Sequence, residues 1–180
     1  MADAFAVLKE DHDEVQQMLS RLEGGSGDAA STAETLVVEE SKHEAAEEMY
    51  FWPAVREKVS GGDALADQAV SQENEGKQIL DSLRKAEAGT AEFARLVAEF
   101  AKAGREHIAF EENQVWPALQ AVLTAEERTD LGGKLETAKK TGPTRPHPGG
   151  PDSPGGLKTV GAAAAMADKV TDAVTGRGKS

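Results

Sequence analysis

The sequence of 180 residues contains no cysteine, which excludes disulfide bonds, zinc-thiolate sites, iron-sulfur clusters and thiol nucleophiles. Any metal that binds this chain must therefore use nitrogen and oxygen ligands. No segment approaches the roughly 20 apolar residues that cross a bilayer, and the first residues lack a basic leader with an apolar core. We therefore expect a cytoplasmic protein that makes no contact with a membrane.

Basic residues are also scarce, and the net charge is -12. Residues 138–180 hold seven Lys or Arg against three Asp, which leaves 13 basic and 29 acidic residues before position 138, a balance near -16. Nucleic-acid affinity depends largely on the neutralisation of phosphates, which such a body would repel. We expect no nucleic-acid partner, whereas the basic tail could engage a protein partner.

Apolar residues recur at helical spacing in four stretches, and no segment alternates like a strand. The stretches cover residues 3–22, about 31–59, 64–86, and from about 90 towards Pro117. Ser31 with Glu34 has the form of a capping box, and Thr90 can cap the fourth helix. Four long helices with short connections favour an all-α, up-down-up-down four-helix bundle. A capping box at Thr124 and Glu127 predicts a short extra helix that ends near residue 138.

Residues 139–180 form a different region of the chain. The segment TGPTRPHPGGPDSPGG contains five of the seven prolines, so it is predicted to be a linker without a packed core. Residues 157–174 are rich in alanine and weakly amphipathic. We therefore assign residues 1–138 to the bundle and 139–180 to a flexible, largely disordered or weakly helical basic tail.

One phrase occurs twice, as HEAAEEMYFWP at residues 43–53 and HIAFEENQVWP at residues 107–117. Because residues four apart share a helix face, each copy places an imidazole and a carboxylate together: His43 with Glu47, and His107 with Glu111. This arrangement offers two ligands to a transition-metal ion, and two copies suggest two metals. Buried carboxylates without a counter-charge would be costly, and bound cations supply that charge. Each Trp-Pro is expected to kink or break its helix.

Further candidate ligands lie on the other helices. His12 falls on the apolar face of the first helix. On the third helix Glu73 stands in the same relation to the following apolar residues as His12 does on the first, and Glu75 is the alternative, since two positions differ by about 200° around a helix. Tyr50 follows Glu47 by three residues on the same face and is either a metal ligand or a core aromatic whose hydroxyl bonds to a carboxylate.

These motifs resemble the hemerythrin-like, or HHE cation-binding, family of four-helix bundles with a non-haem di-iron centre. The resemblance rests on LKEDHDEV around His12 and on the two His-x-x-x-Glu motifs, and it covers roughly residues 3–138. It implies two iron ions, held by His12, His43, Glu47, Glu73, His107 and Glu111, with Glu47 and Glu111 as bridges. The chain departs from the family pattern on the third helix, where a carboxylate occupies the usual position of a histidine.

The ligand balance bears on function. Three histidines with two or three carboxylates and no thiolate suit iron or manganese, with zinc as a further alternative. Oxygen carriage in this family relies on more histidines, and His147 lies in the Pro-rich segment. We therefore expect redox chemistry on peroxide, oxygen or nitric oxide in oxidative stress, or iron handling. A sensor or interaction protein without turnover is the alternative to a catalase-like or peroxidase-like enzyme.

Overall fold

The computed structural model describes residues 2–148 and 162–175, and within them all regular secondary structure is helical. Two π-helical turns, Glu47–Phe51 and Glu111–Val115, interrupt the second and fourth long helices. The α-helices are α1 Ala4–Glu23, α2 Ala29–Ala46, α3 Trp52–Lys58, α4 Gly62–Leu83, α5 Ala91–Phe110, α6 Trp116–Gln120, α7 Ala125–Thr141 and α8 Ala162–Thr175.

Two apolar clusters show how the long helices run. One cluster contains Phe5 and Leu8 at the start of α1, and the other contains Val15 and Leu19 further along the same helix. The second long helix begins in the second cluster and ends in the first, and the fourth long helix does the same. Helix α4, like α1, begins in the first cluster and ends in the second. The four helices therefore alternate in direction, which confirms the predicted up-down-up-down bundle.

Local sequence accounts for most helix ends. Asp3 accepts a bond from the backbone N–H of Phe5 and begins α1, Thr90 accepts from Phe93 at the start of α5, and Thr124 forms the predicted capping box at the start of α7. The prediction for α2 was wrong. Its cap is Asp28, whose carboxylate accepts from the backbone N–H of Ser31 at 3.1 Å. The two alanines between them are good helix formers and let the helix begin earlier.

The predicted disruption at each Trp-Pro takes the form of a π-helical turn that begins at the Glu four residues after each His. In both turns the Trp backbone N–H bonds to the carbonyl five residues earlier, at Glu47 and at Glu111. The proline then occupies the first turn of the next α-helix, where its missing N–H is tolerated. The helix therefore continues through the proline with one additional residue in the preceding turn.

The described chain after the fourth long helix contains two further helices, α7 and α8. Helix α7 extends to Thr141, three residues past the predicted end, and packs against α1 and α2. Helix α8 contacts the segment after α7, where Asp168 accepts bonds from the backbone N–H groups of Thr144 at 3.0 Å and Arg145 at 3.2 Å. Half of the predicted linker, residues 149–156, lies outside the described residues. Among the described helices, none is long and apolar enough to span a membrane.

Candidate metal centre

A layer of buried polar side chains separates the two apolar clusters, and it contains the six principal predicted ligands. The carboxylates of Glu47 and Glu111 are 0% exposed and that of Glu73 is 1% exposed. The donor atoms form two groups, and within each group they lie within 4.8 Å of one another. The first group is His12, His43 and Glu111; the second is Glu47, Glu73, His107 and Glu111.

Glu111 belongs to both groups. Its Oε2 lies 3.0 Å from Nε2 of His12 on α1, and its Oε1 lies 3.2 Å from Nε2 of His107 on α5. Two donors that each lie about 2.1 Å from one ion at a right angle are about 3 Å apart. One carboxylate therefore has an imidazole nitrogen beside each of its oxygens and connects the two donor groups.

Each of the three imidazoles directs Nε2 towards this layer and is held at Nδ1 by an oxygen on another helix. Nδ1 of His43 lies 3.0 Å from Asp11 Oδ2, Nδ1 of His12 lies 3.0 Å from Glu112 Oε1, and Nδ1 of His107 lies 3.1 Å from Gln72 Oε1. When Nδ1–H donates to these oxygens, the Nε2 lone pair is free for a metal. The same tautomer is thus set at all three ligands.

Orphaned polar atoms show that the residues fit bound cations. In the described part of the chain, both oxygens of Glu47 and of Glu111 are buried without a hydrogen bond of proper geometry, as are Glu73 Oε2 and the Nε2 atoms of His12 and His107. The short distances from His12 and His107 to Glu111 are therefore close approaches without a hydrogen bond. Such orphaned atoms are rare in proteins, because each loses its hydration without compensation. These atoms face one another in the two donor groups. A nitrogen and oxygen donor set of this kind suits divalent transition metals.

The structure separates the two candidates on the third helix. Glu73 is buried and joins the second donor group, whereas Glu75 is exposed on the other side of α4. Tyr50 is half-buried and packs against the apolar cluster that contains Phe51 and Trp52. The π-helical turn accounts for this position, since one additional residue rotates the following side chains by about 100°. Ligation by Tyr50 stays a prediction.

The two tryptophans of the repeat support different ligands. The indole N–H of Trp52 donates to Glu73 Oε1 at 2.5 Å, so the second long helix orients the ligand of the third. The ring of Trp116 stacks on His12 with centroids 5.0 Å apart and an angle of 15° between the planes. The two tryptophans occupy equivalent positions in the repeat, but one contacts a carboxylate and the other an imidazole.

Charges in the layer are strongly coupled. Burial opposes the charged form of His43, but Glu47 and Asp11 outweigh it and hold the pKa of His43 well above its usual range. Burial and the neighbouring Glu111 carboxylate raise the pKa of Glu47. Burial also disfavours ionised Glu111, yet His107 and His12 outweigh that cost and lower the pKa of Glu111 below its usual range. The same buried neighbours therefore shift the pKa values of the two glutamates in opposite directions, upward for Glu47 and downward for Glu111.

A second set of buried charges lies beside the ligands and was not predicted. Glu44, which directly follows His43, is buried, and burial raises the pKa of its carboxyl to about 8 although Lys77 acts in the opposite direction. Lys77 contacts Glu48 and lies 3.9 Å from Glu73 Oε2. Burial disfavours the charged form of Lys77, but Glu44, Glu73 and Glu48 raise its pKa above the usual value. This lysine supplies positive charge next to the carboxylate-rich half of the layer.

Sequence reasoning also missed the residues that hold the imidazoles. The repeated Glu-Glu pair was a usable signal, because the second glutamate of each copy makes a buried contact: Glu48 with Lys77 and Glu112 with His12. Asp11 gave no such signal. It follows Glu10 directly before His12, yet it serves His43 on the neighbouring helix, and only the packing of α1 against α2 brings the two together.

Metal affinity is expected to rise with pH. Burial lowers the pKa of His107, but Glu111 outweighs it and raises that pKa to about 9 in the metal-free chain. Below pH 9 a metal that binds His107 must therefore displace the proton of this histidine, and above pH 9 it need not. Zinc affinity should increase by up to about tenfold per pH unit for each displaced proton between pH 7 and 9, and then level off. Competition with a chromophoric chelator measures this, with His147→Gln as a control that keeps the same profile. A pH-independent affinity would contradict the expectation.

Comparisons with known proteins agree with this geometry. The family model described as the hemerythrin HHE cation binding domain matches residues 3–119. An uncharacterized hemerythrin-like protein of Schizosaccharomyces pombe is 29% identical over 138 residues, which are 76% of this chain and 68% of the relative. The crystal structure of a hemerythrin HHE cation binding domain-containing protein from Mycobacterium kansasii has a TM-score of 0.68 at 21% identity and covers 93% of this chain and 99% of that one. This chain belongs to the hemerythrin HHE cation-binding domain family.

Proposed function

We propose that this chain is a non-haem di-iron protein that reacts with or senses a small oxidant, namely peroxide, oxygen or nitric oxide. The observation that carries the proposal is the position of Glu111, whose two oxygens lie 3.0 and 3.2 Å from the Nε2 atoms of His12 and His107. Each oxygen belongs to one donor group, and together the groups provide for two ions. The family itself binds cations, which supports the metal.

The donor set favours iron or manganese over copper. Three imidazoles and three carboxylates without a thiolate form a hard, oxygen-rich environment, and such ligands stabilise the oxidised state of a metal. Zinc can also bind such ligands, so that the metal present in purified protein depends on supply. The distribution is unequal, because the first donor group has two histidines and the second has one histidine with two additional carboxylates. Unequal groups favour a different reactivity at each ion.

The residues have distinct tasks in this proposal. Glu111 would hold metal in both donor groups, and Glu47, which lies 3.2 Å from His43 Nε2, would be the second shared carboxylate. Glu73 completes the carboxylate-rich group and is held by the indole of Trp52. Bound iron would supply one-electron exchange with the oxidant. Phe51, Trp52 and Trp116 are buried around the layer and exclude water from it.

Burial restricts the substrate to a very small molecule. The ligands lie between two apolar clusters in the centre of the bundle, and their carboxylates are almost fully inaccessible. An organic substrate could reach these residues only if the helices separated. A diatomic gas or peroxide can reach them through small fluctuations in side-chain packing. The proposal retains the cytoplasmic location, and the net charge of -12 supports the absence of a nucleic-acid partner.

Iron loading and peroxide turnover test the proposal. Anaerobic reconstitution should give about two iron ions per chain, one for each donor group, and peroxide should then produce oxygen in proportion to the bound iron, as followed with an oxygen electrode. His147→Gln, outside the donor groups, serves as the control with unchanged loading. Loading well below one iron per chain would refute the di-iron assignment. Full loading with no reaction towards peroxide, oxygen or nitric oxide would refute the oxidant chemistry.

A further inference from the structure

A lysine from the additional helix α7 reaches the support of one metal-site histidine. Nζ of Lys139 contacts Oδ1 of Asp11, and the other oxygen, Oδ2, lies 3.0 Å from Nδ1 of His43. Asp11 and His43 are both buried. Three helices, α7, α1 and α2, are thus joined by two contacts to a single carboxylate. Lys139 lies outside residues 3–119, which the family model matches.

The other two imidazoles are supported differently. Glu112, which holds His12, has a side chain that is 27% exposed and lies 3.7 Å from Nζ of Lys9, too far for a hydrogen bond. Gln72, which holds His107, carries no charge. Among the three acceptors, Asp11 combines an ionised group with deep burial and direct contact to a cation. Asp11 is therefore the acceptor whose orientation depends on direct contact with a lysine.

The geometry explains how a distant side chain could control a ligand. A carboxylate that makes two contacts, one through each oxygen, has its plane fixed, whereas a carboxylate with one contact can rotate towards water. A buried carboxylate that loses its charged partner is unfavourable, so without Lys139 the Asp11 side chain would turn towards water. Rotation of Asp11 would release Nδ1 of His43 and with it the tautomer that presents Nε2 to the metal.

We propose that Lys139 is a positioning residue for His43, which it orients through Asp11, so that helix α7 controls the metal affinity of the first donor group. This inference rests on the proposed metal centre and deepens it. It assigns a role in the site to a helix that contributes no ligand. Lys139 acts on the metal through two intervening side chains and does not touch the reacting atoms.

Two measurements on the full-length chain test the role of Lys139. In Lys139→Met, zinc affinity should fall about tenfold, the low end of the range for residues that support a ligand. The Nδ1–H resonance of His43, recorded with ¹⁵N-labelled histidine, should move towards the value of a solvated imidazole, with or without zinc. In Lys139→Arg, zinc affinity should stay within about threefold of wild type, and the His43 resonance should stay at its wild-type position. If Lys139→Met does not fold, Lys139→Gln carries the same expectation.

Lys134→Met is the matched control. Lys134 lies on the same helix, is exposed and pairs only with Asp130 among the ion pairs of the described residues, so its loss should change neither readout. A double-mutant cycle supplies the decisive comparison. In an Asp11→Asn background, which removes the charge that Lys139 contacts, Lys139→Met should change zinc affinity by less than about twofold.

The outcomes separate this inference from the proposed function. If wild type binds zinc and Lys139→Met binds it equally well with an unchanged His43 resonance, the role of Lys139 is refuted and the metal centre stands. An equal loss in Lys134→Met, or an undiminished loss in the Asp11→Asn background, would likewise refute it. If wild type binds no metal, the proposed function fails, while the His43 resonance still shows whether Lys139 orients this imidazole.

Discussion

Replacement of Glu111 by glutamine is expected to abolish stable metal binding at both donor groups. Glutamine preserves the size of the side chain but removes its charge and replaces one donor oxygen by an NH₂ group, whose nitrogen does not ligate metals. Residues that only support a ligand change metal affinity by about 10- to 100-fold, so a ligand shared by both donor groups should cost on the order of 100-fold or more at each. Metal content after dialysis and competition titration with zinc measure the loss.

Glu75→Gln is the control for this substitution, because it makes the same chemical change at an exposed position of α4. It should bind the full complement of metal. Circular dichroism should show equal helix content in both variants, which separates a lost ligand from a lost fold. Retention of two tightly bound ions by Glu111→Gln would mean that Glu111 does not connect the two groups.

Metal removal is expected to lower the midpoint of thermal unfolding by about 10 °C or more. A ligand that binds only the folded chain, at a free concentration a thousandfold above its dissociation constant, stabilises it by about 4 kcal/mol. For a chain of this length each kcal/mol corresponds to about 2 to 4 °C. A cation also compensates the two carboxylates: burial and Glu111 raise the pKa of Glu47, and burial and Glu48 raise the pKa of Glu73, so the ionised form of each is disfavoured without a positive charge beside it.

Calorimetry of the zinc-loaded and chelator-treated chain gives this midpoint difference, and zinc avoids oxidation during heating. Glu111→Gln should show little metal-dependent change, which ties the stabilisation to the centre and not to the acidic surface. Equal midpoints with and without metal in the wild-type chain would show that the buried carboxylates are compensated in another way.

Much of the fold could be predicted because the helical spacing of apolar residues and the positions of the glycine-rich connections agree in this sequence. Apolar spacing located the four helices, and the glycine-rich connections separated them. The phase of the apolar residues also selected Glu73 as a buried candidate, and the structure places it in the second donor group while Glu75 is exposed. These features depend on residues close together in the sequence, where helix geometry is a sufficient guide.

Contacts between helices could not be predicted in the same way. Three polar contacts join residues that are far apart in the sequence, and only the packing of the helices brings the partners together: Asp11 with His43, Lys139 with Asp11, and Trp52 with Glu73. The burial of Glu44 could not be predicted for a related reason, since it depends on Lys77 from another helix. The position of Tyr50 depended on a helical register that the π-helical turn changes.

The two π-helical turns also affect how this chain should be compared with its relatives. Each turn holds one residue more than an α-helix needs to travel the same distance, and the additional residue lies between the ligand glutamate and the Trp-Pro that follows. A relative whose helix is regular at this level would require a single-residue gap within residues 47–51 or 111–115 for its tryptophan to align. Without that gap, a correct match at the histidine would place every later residue of the helix one position out of register.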